Sequence, residues 1–135
     1  MSHGTDRPSY EPGRFWRAGC NMAVGIVAMV AIVAMVNYLA ATRLGLPAVG
    51  YYGGRTAPYL HERLQAPAML HFGEHDKLIT MDTVRRISST HPDLPCHVYP
   101  AGHGFNRFGH PDWHADSADT ALARTLAFFR QHLAQ

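Results

Sequence analysis

The chain has 135 residues, 47% hydrophobic and 16% charged, which is enough for one globular domain with a buried core. Twelve Lys and Arg against ten Asp and Glu leave a formal net charge of +2, so no nucleic-acid partner is expected. Two cysteines are too few for a disulfide framework, and a reducing, cytoplasmic compartment is the expected location.

Residues 1–19 are polar and rich in Pro and Gly as far as Arg17, and they predict a flexible leader. From Gly19 to Thr42 there is no charged side chain, and two readings compete for this stretch. One is a membrane anchor running from Met22 to Ala41, long enough to span a bilayer, with Arg14 and Arg17 on its cytoplasmic side. The other is a strand from Met22 to about Val27, followed by a helix from about Ala34 to Leu44.

Ala48 to Tyr52 predicts a buried strand ended by Gly53-Gly54. Thr56 to Leu64 suggests a short helix, with Pro58 acceptable near its start. Ala66 to Phe72 is a second apolar strand, followed by the polar turn Gly73-Glu74-His75-Asp76. Thr80 to Thr90 reads as an amphipathic helix with Val84 and Ile87 inward and Thr80 or Asp82 as cap. Cys96 to Tyr99 is a third strand, stopped by Pro100 because proline has no N–H for a ladder. After the loop Phe108 to Trp113, a helix is expected over Ala115–His132, its apolar face made by Ala118, Leu122, Leu126 and Phe129. Phe128, Phe129 and Leu133 are expected to pack in the core. Strands alternating with helices predict an α/β fold: a parallel sheet of about four strands with flanking helices.

Two strand ends carry the chemistry. His103 follows the third strand between Gly102 and Gly104, small neighbours that would let a substrate approach a general base. Asp76 follows the second strand. In a parallel sheet both ends reach one edge, so the carboxylate and the imidazole are expected to converge although 27 residues apart. A carboxylate that accepts the imidazole N–H fixes its tautomer and supports the imidazolium during turnover. The plainer reading of Asp76 is a turn or cap residue. Among ten histidines, His71 with His75 and His110 with His114 are spaced by four, a spacing that binds zinc only on a helix face. His71 lies in a predicted strand and His110 in a Pro-bounded loop, so no metal site is expected, and no cofactor either.

The segments Ala48-Val-Gly-Tyr-Tyr-Gly-Gly54, Leu70-His-Phe-Gly-Glu-His-Asp76 and His97-Val-Tyr-Pro-Ala-Gly-His-Gly-Phe105 resemble the dienelactone hydrolase family, as does the helix Ala121 to Arg130. The likeness extends from about Tyr38 to Leu133 in order and spacing. It implies a partial α/β-hydrolase fold over residues 20–135, a Cys-Asp-His triad and the opening of lactone or ester bonds. By this resemblance Asp76 matches the triad acid, His103 the base, and Arg107 a position that helps hold a substrate carboxylate. It also implies that the chain carries only the carboxyl half of such a domain, the other half supplying further strands, an oxyanion-hole donor and substrate contacts.

The family's nucleophile does not carry over. Its cysteine sits on a Gly-x-Cys-x-Gly elbow after a strand like Val24–Val27, and here that position falls near Val30 without flanking glycines. Valine cannot attack a carbonyl, and β-branched residues resist the strained elbow backbone. Cys20 precedes the strand, and Cys96 lies within one as an expected structural thiol. The expected function is therefore that of a dienelactone hydrolase-like protein impaired in catalysis, and a truncated or shifted reading frame is one hypothesis that would account for both the lost elbow and the unmatched leader. The alternative is a non-catalytic fragment, membrane-anchored or partner-binding through residues 20–41, or self-associating through an open sheet edge.

Overall fold

The computed structural model describes residues 35–133. The expected leader, the strand at Val24–Val27, Val30 and Cys20 all lie outside the described residues. Residues 35–43 form helix α1, which ends where Gly45 takes a left-handed φ of 64°. The N–H groups of Leu44 and Leu46 both donate to the Ala40 carbonyl, while the Ala41 carbonyl accepts from Gln65 and Ala66 in a distant loop. The helix end is thus closed by tertiary contacts, since its last carbonyls have no partner further along the helix.

Three parallel strands follow: β1 (Ala48–Tyr51), β2 (Ala68–Gly73) and β3 (Cys96–Tyr99), paired in the order β1-β2-β3. All six residues of the central strand are buried, as expected of an apolar run covered on both faces. Gly53–Tyr59 is a 3₁₀ helix, starting earlier than the sequence suggested and placing Pro58 near its end. Helix α2 (Met81–Thr90) links β2 to β3, and α3 (Ala115–Leu133) closes the described chain. Of the two candidate caps of α2, Thr80 fills the role, its hydroxyl accepting from the Thr83 N–H. Thr80→Ala is expected to lower stability by about 1 kcal/mol in urea titration.

Alternation along β2 splits the core in two. Ala68, Leu70 and Phe72 face a cluster with Tyr38 and Ala41 of α1 and Val84 and Ile87 of α2. His71 points the other way, toward α3. Tyr38 and Ala41 are essentially fully buried, and the Asn37 amide donates to the Val49 carbonyl at 2.9 Å. The last part of the candidate membrane anchor is therefore a helix packed on the sheet. No helix among the described residues is long and apolar enough to cross a membrane.

Helix α3 departs from its expected orientation. Its buried face is Ser117, Ala118 and Ala121, continued by half-buried Thr125. Leu122 and Leu126 are 52% and 46% exposed, Phe128 and Phe129 only half-buried, and Leu133 lies largely in solvent. The reason is polar. Thr125 donates to the Ala121 carbonyl, so its oxygen accepts from Tyr51 Oη at 2.9 Å and from His71 Nε2 at 3.2 Å. Small residues beside it allow this close approach, and the larger leucines are turned away.

Candidate active site

β2 and β3 end side by side, with Gly73 registered against Tyr99. Beyond that pair the backbone stays zipped: the Glu74 N–H donates to the Tyr99 carbonyl at 2.7 Å, and the His75 N–H to the Ala101 carbonyl at 3.0 Å. The Asp76 turn and the His103 loop are thereby held together by main-chain bonds, before any side chain is considered.

Asp76 divides its two oxygens. Oδ1 accepts the N–H groups of Leu78 at 2.7 Å and Ile79 at 3.0 Å, the turn-capping role that sequence alone allowed for it. Oδ2 lies 2.7 Å from His103 Nδ1. Because the carboxylate is the acceptor on both sides, Nδ1 carries the proton and donates it. The Asp76 side chain is fully buried, whereas 30% of the His103 side chain is exposed. What remains open on the imidazole is Nε2, a base or acid aimed away from its carboxylate support.

The glycines flanking His103 do not leave room for a substrate, contrary to the expectation from sequence. A Cβ on Gly104 would lie 2.0 Å from His110 Nδ1, and one on Gly102 would lie 2.6 Å from the Asp112 side chain. Both positions are small because the loop after Phe108 folds back over them. In that loop Phe108 is exposed and meets Trp113 edge to face, with ring centroids 5.3 Å apart. Arg107 is exposed too, and its side chain makes no salt bridge among the described residues.

Tyr52 belongs to this region, and sequence reasoning missed it. It follows β1 in the left-handed conformation, φ 59°, which is uncommon for a bulky residue. Its ring lies 4.8 Å from that of His103 and 5.5 Å, edge-on, from Phe105. Its hydroxyl accepts the Asn106 N–H at 2.9 Å. Burial pushes its pKa up to about 12, although the nearby Arg107 works in the opposite direction. The available signal was position: Tyr52 ends a parallel strand at the same sheet edge as Asp76 and His103.

No group of three or more metal-ligating side chains occurs among the described residues. His71 is instead fully buried, with Tyr99 Oη at 2.9 Å from Nδ1 and Thr125 on Nε2. Cys96 starts β3, at the end of the strand opposite His103, and burial raises its thiol pKa to about 11. At neutral pH it is a protonated structural thiol.

The dienelactone hydrolase family model matches residues 17–133. The carboxymethylenebutenolidase of Pseudomonas sp. (strain P51) is 28% identical over 117 residues, covering 83% of this chain and 49% of the relative. A candidate carboxymethylenebutenolidase of Azospirillum brasilense is 31% identical over 91 residues, covering 63% of the chain and 39% of the relative. Among solved structures, a candidate dienelactone hydrolase from Klebsiella pneumoniae subsp. pneumoniae superposes with a TM-score of 0.61 at 26% identity, over 71% of this chain and 47% of that one. The chain thus spans about half, or less, of the length of these relatives.

Proposed function

Because this chain belongs to the dienelactone hydrolase family, within the α/β-hydrolase superfamily, we propose that Asp76 and His103 are the acid and base of a site for cleaving lactone or carboxylic ester bonds. Arg107 is assigned to the carboxylate of such a small-molecule substrate. The observation that carries this reading is the 2.7 Å contact between His103 Nδ1 and Asp76 Oδ2, with Oδ1 independently anchored by two backbone N–H groups. An imidazole held in this way takes the proton of a nucleophile on Nε2 and later returns it to the leaving oxygen. Asp76 stabilises the imidazolium in between. The exposure of Arg107, which makes no salt bridge among the described residues and lies in the same loop as His103, supports the carboxylate assignment.

In intact relatives a thiolate would attack the carbonyl, forming an acyl-enzyme that water then resolves. This chain has valine near the corresponding position, and Cys96 is too basic and too far along its strand to stand in. The proposal is accordingly an acid–base pair without its thiol, with hydrolysis slower by several orders of magnitude than a thiol-dependent enzyme would show. The test is cleavage of p-nitrophenyl acetate by the full chain and by His103→Ala. Slow turnover that falls to the buffer rate in the variant is the expected result. Turnover that survives the substitution removes His103 as the base, and a wild-type rate like that of a thiol hydrolase overturns the impairment.

A further inference from the structure

We infer that Tyr52 is a positioning residue for the His103–Asp76 pair, clamping the imidazole from its open face and pinning the loop that carries it. The catalytic significance of the clamp rests on the function proposed above; its geometry does not. Asp76 holds His103 by one hydrogen bond at Nδ1, and once that bond opens the imidazole can rotate about its side-chain torsions. The Tyr52 ring, 4.8 Å away and tilted by 34°, covers a face of the imidazole and blocks that rotation. Its hydroxyl meanwhile holds the Asn106 N–H, three residues further along the same loop. The two contacts grip the loop on both sides of Phe105, which is itself fully buried against the Tyr52 ring edge.

The backbone supports the same assignment. A tyrosine in the left-handed region is strained, and glycine would sit there freely. Gly53 and Gly54 come immediately afterwards, so the turn has glycine within reach at its next positions, yet the strained one holds a large aromatic. From that φ, just past β1, the ring lies against His103 and Phe105 in the loop after β3. Strain of this kind persists where the surrounding structure over-determines it, and here the ring is fixed by Phe105, His103 and Asn106 together.

The test reads the pair directly and needs no turnover. Ring ¹⁵N shifts of His103, assigned with His103→Ala, are followed in the full chain, in Tyr52→Gly and in Tyr52→Phe. Glycine suits the left-handed backbone, so Tyr52→Gly removes the ring without adding strain. The wild type is expected to show the Nδ1–H tautomer. In Tyr52→Gly the Nε2–H population should rise about tenfold as the imidazole leaves Asp76. In Tyr52→Phe the tautomer should persist while exchange of the Asn106 amide accelerates about tenfold. Should Tyr52→Gly fail to fold, the Asn106 amide in Tyr52→Phe still decides. An unchanged tautomer in Tyr52→Gly overturns the clamp. So does an Asn106 amide that exchanges at the wild-type rate, or one that accelerates only in step with the β2 amides of Leu70 and Phe72. Absence of hydrolysis in the wild type would count against the proposed activity and leave these readings unaffected.

Discussion

Replacing Gly73 by alanine is expected to lower stability by about 3 kcal/mol and to part His103 from Asp76. A Cβ at this position would lie 2.4 Å from the Ala101 carbonyl oxygen and 2.6 Å from that of Gly102. Both are backbone atoms, so no side chain can swing aside to relieve the clash. Either β2 or the loop after β3 has to move, and the first bonds lost are those that zip the two loops, beginning with His75 N–H to Ala101 O. This close backbone approach therefore underlies the candidate site. Urea titration of Gly73→Ala checks the stability, and the His103 ring tautomer in the folded fraction checks the site. A variant with wild-type stability and an intact Nδ1–H tautomer would show that the two loops are not held by this approach.

The second large effect is acid lability through His71. Every group around its ring has a defined role: Thr125 donates to Ala121 and accepts from His71 Nε2–H, so Nδ1 is bare and accepts from Tyr99 Oη. Arg124 donates to that same phenol oxygen. A second proton on the ring would face a hydroxyl already accepting from a guanidinium. Burial first, then His97 and Arg124, hold the His71 pKa down to about 3, against 6.5 for an unhindered histidine. Between those two values the unfolded chain binds a proton that the folded chain refuses. Stability is thus complete above about pH 6.5 and falls as the pH is lowered toward 3, by up to about 1.4 kcal/mol per pH unit. Burial and Arg124 lower the pKa of His97 as well, which adds in the same direction. Urea midpoints at pH 7 and pH 4.5 should differ by about 2 kcal/mol in the wild type and by clearly less in His71→Gln, which cannot titrate. Equal pH dependence in the two proteins would exclude His71 as the source.

How far these features were legible from sequence follows their range along the chain. Three apolar runs bounded by Gly and Pro mark β1, β2 and β3, and alternation with helical segments specifies a parallel sheet. The position of Asp76 and His103 after consecutive strands was enough to expect them at one sheet edge. Sequence also shows Val30 near where the family pattern would place its elbow cysteine, a difference in residue type that needs no coordinates to be noticed. These are local properties, or consequences of strand order alone.

The tertiary structure decided whatever depends on which atoms meet across distant segments. Hydrophobic periodicity put Leu122 and Leu126 inward on α3, but the bonds of Thr125 to Tyr51 and His71 turn that face outward, and no pattern within the helix encodes partners more than 50 residues away. Gly102 and Gly104 looked like clearance for a substrate, yet they are small because His110 and Asp112 fold onto them. Tyr52 read as the last residue of a strand, whereas its left-handed backbone turns the ring toward His103. Strand order tells which loops share an edge; only packing and hydrogen-bond satisfaction in three dimensions settle which side chains then touch.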